Sequence, residues 1–173
     1  MSCPLCSLCY CPAQSFLYLY LKNPRYNSHV PLPKLFRVLF VCIGNACRSP
    51  MAEAIALRDA SDIIDPSSAG LFPLGYIPDS TRQTLLNNGF FPEGLSSKPI
   101  SHEVWDNADV IINLSGRRSD SLFGRSEKIE DWDVADPYGG EPELYQQILE
   151  EIALRVRSLA DRLRQERIAG HPL

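Results

Sequence analysis

What the chain lacks narrows its reading first. Its three histidines, His29, His102 and His171, are too far apart in sequence to suggest a shared metal, so no metal is expected. Positive charge is not in excess: 17 Lys and Arg face 21 Asp and Glu, a formal net charge of −4. Nucleic acid and anionic membranes, whose phosphate surfaces attract basic proteins, are therefore not expected partners. No long apolar run is present either. The most apolar early stretch, Ser15-Phe-Leu-Tyr-Leu-Tyr-Leu21, is far shorter than the roughly 20 residues a bilayer span needs. A basic start and a small-residue cleavage site are missing too, so a secretory leader is not expected. No internal repeat is visible, and no cysteine follows Cys47.

What is present suits one α/β core, with 173 residues at 45% hydrophobic content. Residues 35–41 read as a central strand, 48–60 as the first helix, and 63–67 as a short second strand despite Asp65 and Pro66. A helix over 80–88 has Asp79 as its expected N-cap and Gly89 as its stop. Residues 110–114 give a third strand, 117–122 a short helix, and 128–134 a fourth strand. The last element, 143–166, is a long helix with Leu144, Ile148, Ile152, Val156, Leu159 and Leu163 on one face, a stripe assigned to the core. The expected architecture is a three-layer α/β/α domain over residues 34–173, with a central four-stranded parallel sheet and an anion-binding loop after the first strand.

That loop carries the chemistry. Val38-Leu-Phe-Val-Cys-Ile-Gly-Asn-Ala-Cys-Arg-Ser-Pro50 joins a buried-strand signal to a thiol, a glycine-opened turn and an arginine. Cys-x5-Arg spacing lets one tight loop turn its N–H groups inward while the Cys42 thiol and the Arg48 guanidinium face the same point, an anion nest. The amides of Ile43, Gly44, Asn45, Ala46, Cys47 and Arg48 would wrap a phosphate, and Arg48 would clamp two of its oxygens. Met51-Ala-Glu-Ala-Ile-Ala-Leu-Arg58 follows with good helix formers, so a helix N-terminus adds positive potential and favours a thiolate. Ser49 can donate a hydrogen bond to that sulfur, and Asn45 tolerates a left-handed backbone and can pin the loop. The plainer alternative is a buried strand-end cysteine beside a surface arginine. Only phosphate chemistry uses all three features together.

A phosphate ester leaves more readily when its oxygen is protonated, and Asp136, fixed beside Pro137, is the carboxylic acid to pair with Cys42. From residue types alone, Asp131, Asp133 and Asp136 could equally form a solvated acidic loop. Tyr138 and Trp132 flank it. An aromatic near the mouth could form a wall for a phenyl ring, and of the two Trp132 reads as a ring packed at a strand end.

Val41-Cys-Ile-Gly-Asn-Ala-Cys-Arg-Ser-Pro50 resembles the signature loop of the low-molecular-weight protein tyrosine phosphatases, a superfamily shared with thioredoxin-coupled arsenate reductases. Ser68-Ala-Gly70, Ala108-Asp-Val-Ile-Ile-Asn-Leu114 and Asp136-Pro-Tyr138 resemble further segments of that family in the right order, from about Phe36 to about Leu163. The resemblance implies that Cys42 attacks phosphorus, Asp136 protonates the leaving phenolate, and a phosphocysteine is then hydrolysed, with no cofactor. It gives Arg48 and the loop amides the phosphate, and Asn45, Ser49, Ser68 and Tyr138 supporting roles. The substrate implied is a phosphotyrosine protein. Cys47 could form a reversible disulfide with Cys42, or serve as a small loop residue. Arsenate reduction is the alternative chemistry, but its thioredoxin-coupled form needs cysteines downstream, and an external thiol would have to replace them. A silent phosphoprotein binder is a third reading, and the joint presence of Cys42, Arg48 and Asp136 argues against it.

Residues 1–33 have no counterpart in that family. Cys3, Cys6, Cys9 and Cys11 crowd a Pro- and Tyr-rich segment that reads as a poorly ordered or loosely packed extension rather than a zinc site. A start codon assigned too early would also account for it, with the domain beginning near Lys34. A catalytic thiolate needs reducing surroundings, so the expected compartment is the cytoplasm. Oligomeric state is not legible.

Overall fold

The computed structural model describes residues 35–170, and the expectations for residues 1–33, His29 and His171 lie outside the described residues. In chain order the elements are β1 (Phe36–Cys42), α1 (Arg48–Asp59), β2 (Ile64–Gly70), α2 (Asp79–Asn87), α3 (His102–Asn107), β3 (Val110–Asn113), α4 (Ser119–Phe123), β4 (Ile129–Asp131) and α5 (Pro142–Ile168). The four strands are parallel in the order β2-β1-β3-β4. The first described strand thus lies inside the sheet, which builds outward from it in both directions. In such sheets the crevice lies at the carboxyl ends of the strands where the order reverses, which here is the end of β1.

Alternation along β1 sorts the core onto two faces. Phe36, Val38, Phe40 and Cys42 join the cluster made with α1, α2 and α5, including Met51, Ile55, Leu85, Ile152 and Val156. Leu39 and Val41 join a smaller cluster with Ile111, Val104, Trp105 and Phe123, from β3, α3 and α4. Helices therefore cover both faces, as a parallel sheet requires. The α5 stripe is core as expected: Ile148, Ile152, Val156, Leu159 and Leu163 are buried and Leu144 packs against them. Trp132 is buried with its ring centroid 6.2 Å from that of Phe40.

Several boundaries differ from the sequence reading. β2 extends past the expected end at Ser67 to Gly70, and it runs through Pro66 as expected, since β2 is an edge strand where a missing N–H is tolerated. Asp79 is not the N-cap of α2: Pro78 holds that position, its carbonyl receives the Arg82 amide, and Asp79 becomes an acidic first-turn residue. β4 is shorter than 128–134. After Trp132 donates to the Asn113 carbonyl, the chain leaves the sheet, and the Val134 carbonyl accepts from Arg48 instead. The helix expected at 117–122 begins at Ser119, because Ser115 and Asn113 hold the Arg117 backbone in a turn. α3 was not foreseen. Its signal is Ser101, whose side chain accepts from the Val104 amide as N-cap.

Ile152 is fully buried in the core cluster that α5 shares with α1. Ile152→Ala is expected to lower stability by about 2–5 kcal/mol, the usual cost of truncating a buried aliphatic side chain. Urea denaturation measures it; a loss under roughly 1 kcal/mol would contradict this packing.

Candidate active site

The site grows out of the end of β1. Cys42 is its last residue, and the loop from Ile43 to Cys47 leads into α1, whose first residue is Arg48. The carbonyls of Cys42, Ile43 and Gly44 accept from the amides of Leu71, Phe72 and Leu74 at 2.8–3.0 Å, and Ser97 Oγ donates to the Gly44 carbonyl at 2.9 Å. With these carbonyls engaged, the amides from Ile43 to Cys47 have no backbone acceptor among the described residues. No acidic residue occupies the first turn of α1, and no side chain caps it, so its dipole is uncompensated there. This is an anion nest at a helix N-terminus.

Asn45 holds the loop's shape. It is the one non-glycine residue with positive φ among the described residues, at +46°, and it is fully buried. Its Oδ1 accepts from the Lys98 amide at 2.9 Å, which fixes the orientation of the side-chain amide. Its Nδ2 donates to Ser49 Oγ at 3.0 Å and Ser68 Oγ at 2.8 Å. Both hydroxyls must then give their own protons elsewhere. Ser68 donates to Glu53 Oε2 at 2.5 Å, and Ser49 donates to Cys42 Sγ at 3.0 Å. The chain of donors ends on the sulfur. Gly70 lets the loop lie this close: a Cβ there would meet the Asn45 amide nitrogen at 2.8 Å and the Ile43 carbonyl at 2.9 Å.

Arg48 is buried. Nη1 donates to the Val134 carbonyl at 3.2 Å and Nη2 to Asp136 Oδ2 at 2.5 Å, while Nε, also buried, has no partner. Asp136 Oδ1 in turn accepts from the Tyr138 amide at 3.2 Å. Of the three acidic residues in this region, only Asp136 reaches the cleft. Asp131 accepts from Asn113 and Ser119, holding the start of α4, and its carboxylate serves the fold. Asp133 engages Arg155 through its backbone carbonyl.

A cleft of about 200 Å³ lies over these groups, lined by Cys42, Ile43, Gly44, Ala46, Cys47, Arg48, Asp136 and Tyr138. Asn45, named from the sequence among the residues that wrap the phosphate, does not line this cleft; with Ser49 and Ser68 it stands behind it. Phe72 and Leu74 complete its apolar wall. They were missed because the segment after Gly70 has no periodicity and matches the family loosely. Glu53 was missed because an acidic residue on a helix reads as surface. Burial pushes the Glu53 carboxyl up from its ordinary range, opposed by the Ser68 hydrogen bond and the charge of Lys98. Burial likewise pushes the Cys47 thiol up, and both Cys47 and Cys42 are free thiols.

Comparisons with known proteins agree with this geometry. The family described as low molecular weight phosphotyrosine protein phosphatase matches residues 37–169. The chain belongs to this family. Among its relatives, a protein-arginine-phosphatase of Bacillus subtilis is 32% identical over 149 residues, covering 75% of this chain and 98% of the relative. Arsenate reductase 1 of Bacillus cereus is 28% identical, covering 72% of this chain and 93% of that protein. Among solved structures, an arginine phosphatase from Geobacillus stearothermophilus superposes with a TM-score of 0.70 at 28% identity, covering 80% of this chain and 99% of that one. The family membership makes the protein a phosphatase on a four-stranded parallel α/β fold. Among the described residues no helix is long and apolar enough to cross a membrane, and no cluster of His, Cys, Asp and Glu could hold a metal.

The raised carboxyl of Glu53 fixes a stability trend. A folded-state value above the unfolded one means that ionising Glu53 costs stability, a penalty absent below the unfolded value near 4.3 and complete above the folded one. Glu53→Gln, which keeps an oxygen for Ser68, is expected to melt higher than wild type at pH 7.5, with the gap closing by about pH 4. Thermal melts across that range check it; a gap that widens on acidification reverses the sign and overturns the account.

Proposed function

We propose that the protein hydrolyses phosphotyrosine on proteins through a phosphocysteine intermediate. One observation carries this reading: Cys42, with the Ser49 hydroxyl fixed on its sulfur, shares one apolar-walled cleft with the Asp136 carboxylate. Cys42 Sγ attacks phosphorus, forming the S–P bond as the bond to the phenolic oxygen breaks, and Asp136 delivers the proton to the leaving phenolate. Water then attacks the phosphocysteine, Asp136 takes its proton, and inorganic phosphate leaves. The amides from Ile43 to Arg48 and the Arg48 guanidinium hold the equatorial oxygens throughout. In the resting arrangement Arg48 is paired with Asp136, so an incoming phosphate takes over the guanidinium and leaves the Asp136 carboxyl, protonated once the ion pair is lost, beside the ester oxygen. Phe72 and Tyr138, both largely exposed, offer flat apolar surface to the phenyl ring.

Phosphoarginine is a second reading, favoured by the similarity to arginine phosphatases over nearly their whole length. A guanidinium also stacks on aromatic rings, and its nitrogen also needs a proton to leave. Thioredoxin-coupled arsenate reduction is disfavoured because no cysteine follows Cys47 to relay oxidation. The thiolate's need for reducing surroundings makes the cytoplasm part of the same proposal.

Purified protein with reductant should be assayed on a phosphotyrosine peptide, a phosphoarginine peptide and arsenate with glutathione or thioredoxin. Phosphotyrosine turnover is expected to vanish in Cys42→Ser and to fall roughly 10²–10⁴-fold in Asp136→Ala. Faster phosphoarginine turnover moves the assignment to the second reading. Arsenate turnover without either peptide activity overturns both.

A further inference from the structure

Ser97 is not among the residues lining the cleft, yet its hydroxyl, in the irregular segment between α2 and α3, ties two parts of the site together. Oγ donates to the Gly44 carbonyl at 2.9 Å and accepts from the Gly75 amide at 3.0 Å. Neither bond can run the other way, because a carbonyl only accepts and an amide N–H only donates. The single hydroxyl proton is therefore committed to the loop after β1. The Gly44 carbonyl also receives the Leu74 amide at 2.9 Å, so both of its lone pairs are used. The carbonyls of Cys42 and Ile43 are met by the main-chain amides of Leu71 and Phe72, which no side-chain substitution removes. At Gly44 a side chain shares the hold.

The peptide between Gly44 and Asn45 is flanked by the two residues of this loop best suited to turning it over. Gly44 has no side chain to restrict rotation, and Asn accepts the left-handed conformation that Asn45 shows. Sterics do not lock the peptide either, since a Cβ at Gly44 would meet nothing closer than 3.7 Å. A peptide turns over about the line joining its two Cα atoms, a motion that the anchored Asn45 side chain does not resist. Bonds to the Gly44 carbonyl do resist it. A trans peptide is planar, with its C=O and N–H on opposite sides, so holding that carbonyl toward Ser97 and Leu74 keeps the Asn45 N–H on the far side. We propose that Ser97 is a positioning residue of the anion site, holding the Gly44–Asn45 peptide so that the Asn45 amide stays turned toward a bound phosphate. The proposal rests on the reading of this loop as the phosphate site, and not on which phosphoryl group is the substrate.

Ser97→Ala removes the hydroxyl from a half-buried residue and leaves the main-chain bonds of the next residue in place, from the Lys98 amide to Asn45 Oδ1 and from the Gly70 amide to the Lys98 carbonyl. Inorganic phosphate is the probe, read as an inhibitor of para-nitrophenyl phosphate hydrolysis and as a thermal stabiliser of the full chain. Ser97→Ala is expected to weaken phosphate inhibition roughly 5–10-fold, the scale of one hydrogen bond, and to shrink the rise in Tm at a fixed phosphate concentration. Ser97→Thr, which keeps a hydroxyl, should restore both, and Ser96→Ala, at the exposed neighbouring residue, should change neither. An inhibition constant does not depend on how much of the protein is folded, so a less stable variant remains informative. Unchanged phosphate inhibition in Ser97→Ala, or a loss that Ser97→Thr does not restore, overturns the proposal. A higher KM for the aryl ester with phosphate inhibition unaltered overturns it too, and would assign the hydroxyl to the 71–75 wall through Gly75. If the wild type is neither inhibited nor stabilised by phosphate, the reading of the loop as a phosphate site fails instead, which is a separate result.

Discussion

The loop between β1 and α1 can bind an anion only while its amides stay without protein acceptors, and the surrounding structure is arranged to keep them so. An unpaired buried N–H is costly, and a free loop would turn to satisfy it. Here rotation of the first half of the loop is blocked from the other side, because the carbonyls of Cys42, Ile43 and Gly44 are already bonded to the 71–74 segment or to Ser97. Asn45 adds a backbone conformation that few side chains accept and a side chain with three fixed bonds. The irregular stretch after β2 is therefore as necessary to the site as the strand that carries the thiol. It belongs to the same device although it contains no reacting group.

Arg48 illustrates how such a site survives without its ligand. A guanidinium taken out of water needs compensation. The Val134 carbonyl and the Asp136 carboxylate supply it from the loop after β4. The acid and the anion clamp are thereby stored against each other, and the substrate's own charge separates them. Such a resting state keeps the cleft from closing on itself while leaving Nε available as a buried donor.

The strands, the long helix and the residues on the phosphate loop were legible because each leaves a local mark: apolar runs, a 3.6-residue stripe, a cysteine and an arginine at fixed spacing. Asp136 was legible only through its likeness to a family motif. Composition left it equivalent to Asp131 and Asp133, and what separates the three is which way each carboxylate faces across the sheet end. Phe72 and Leu74 carried no mark, since an exposed apolar residue on an irregular loop means nothing until the wall it joins is seen. Glu53 was hidden for the opposite reason. It sits at an ordinary helical position, and its importance comes from what a distant segment brings against it. The N-cap of α2 and the length of β4 failed for the usual cause, local propensity yielding to tertiary partners.

The sheet's two borders have a consequence beyond catalysis. A parallel sheet of four strands exposes a row of unsatisfied backbone groups at each side, an invitation for another chain to add a strand. On one side the border is β2, where Pro66 offers no N–H and its ring interrupts the row. On the other it is β4, only three residues long before the chain turns away toward Asp136. The departure that brings the acid over the thiol also trims the border to less than an intruding strand can grip. Among the described residues, the placing of the acid and the shortness of that border therefore come from the same bend in the backbone.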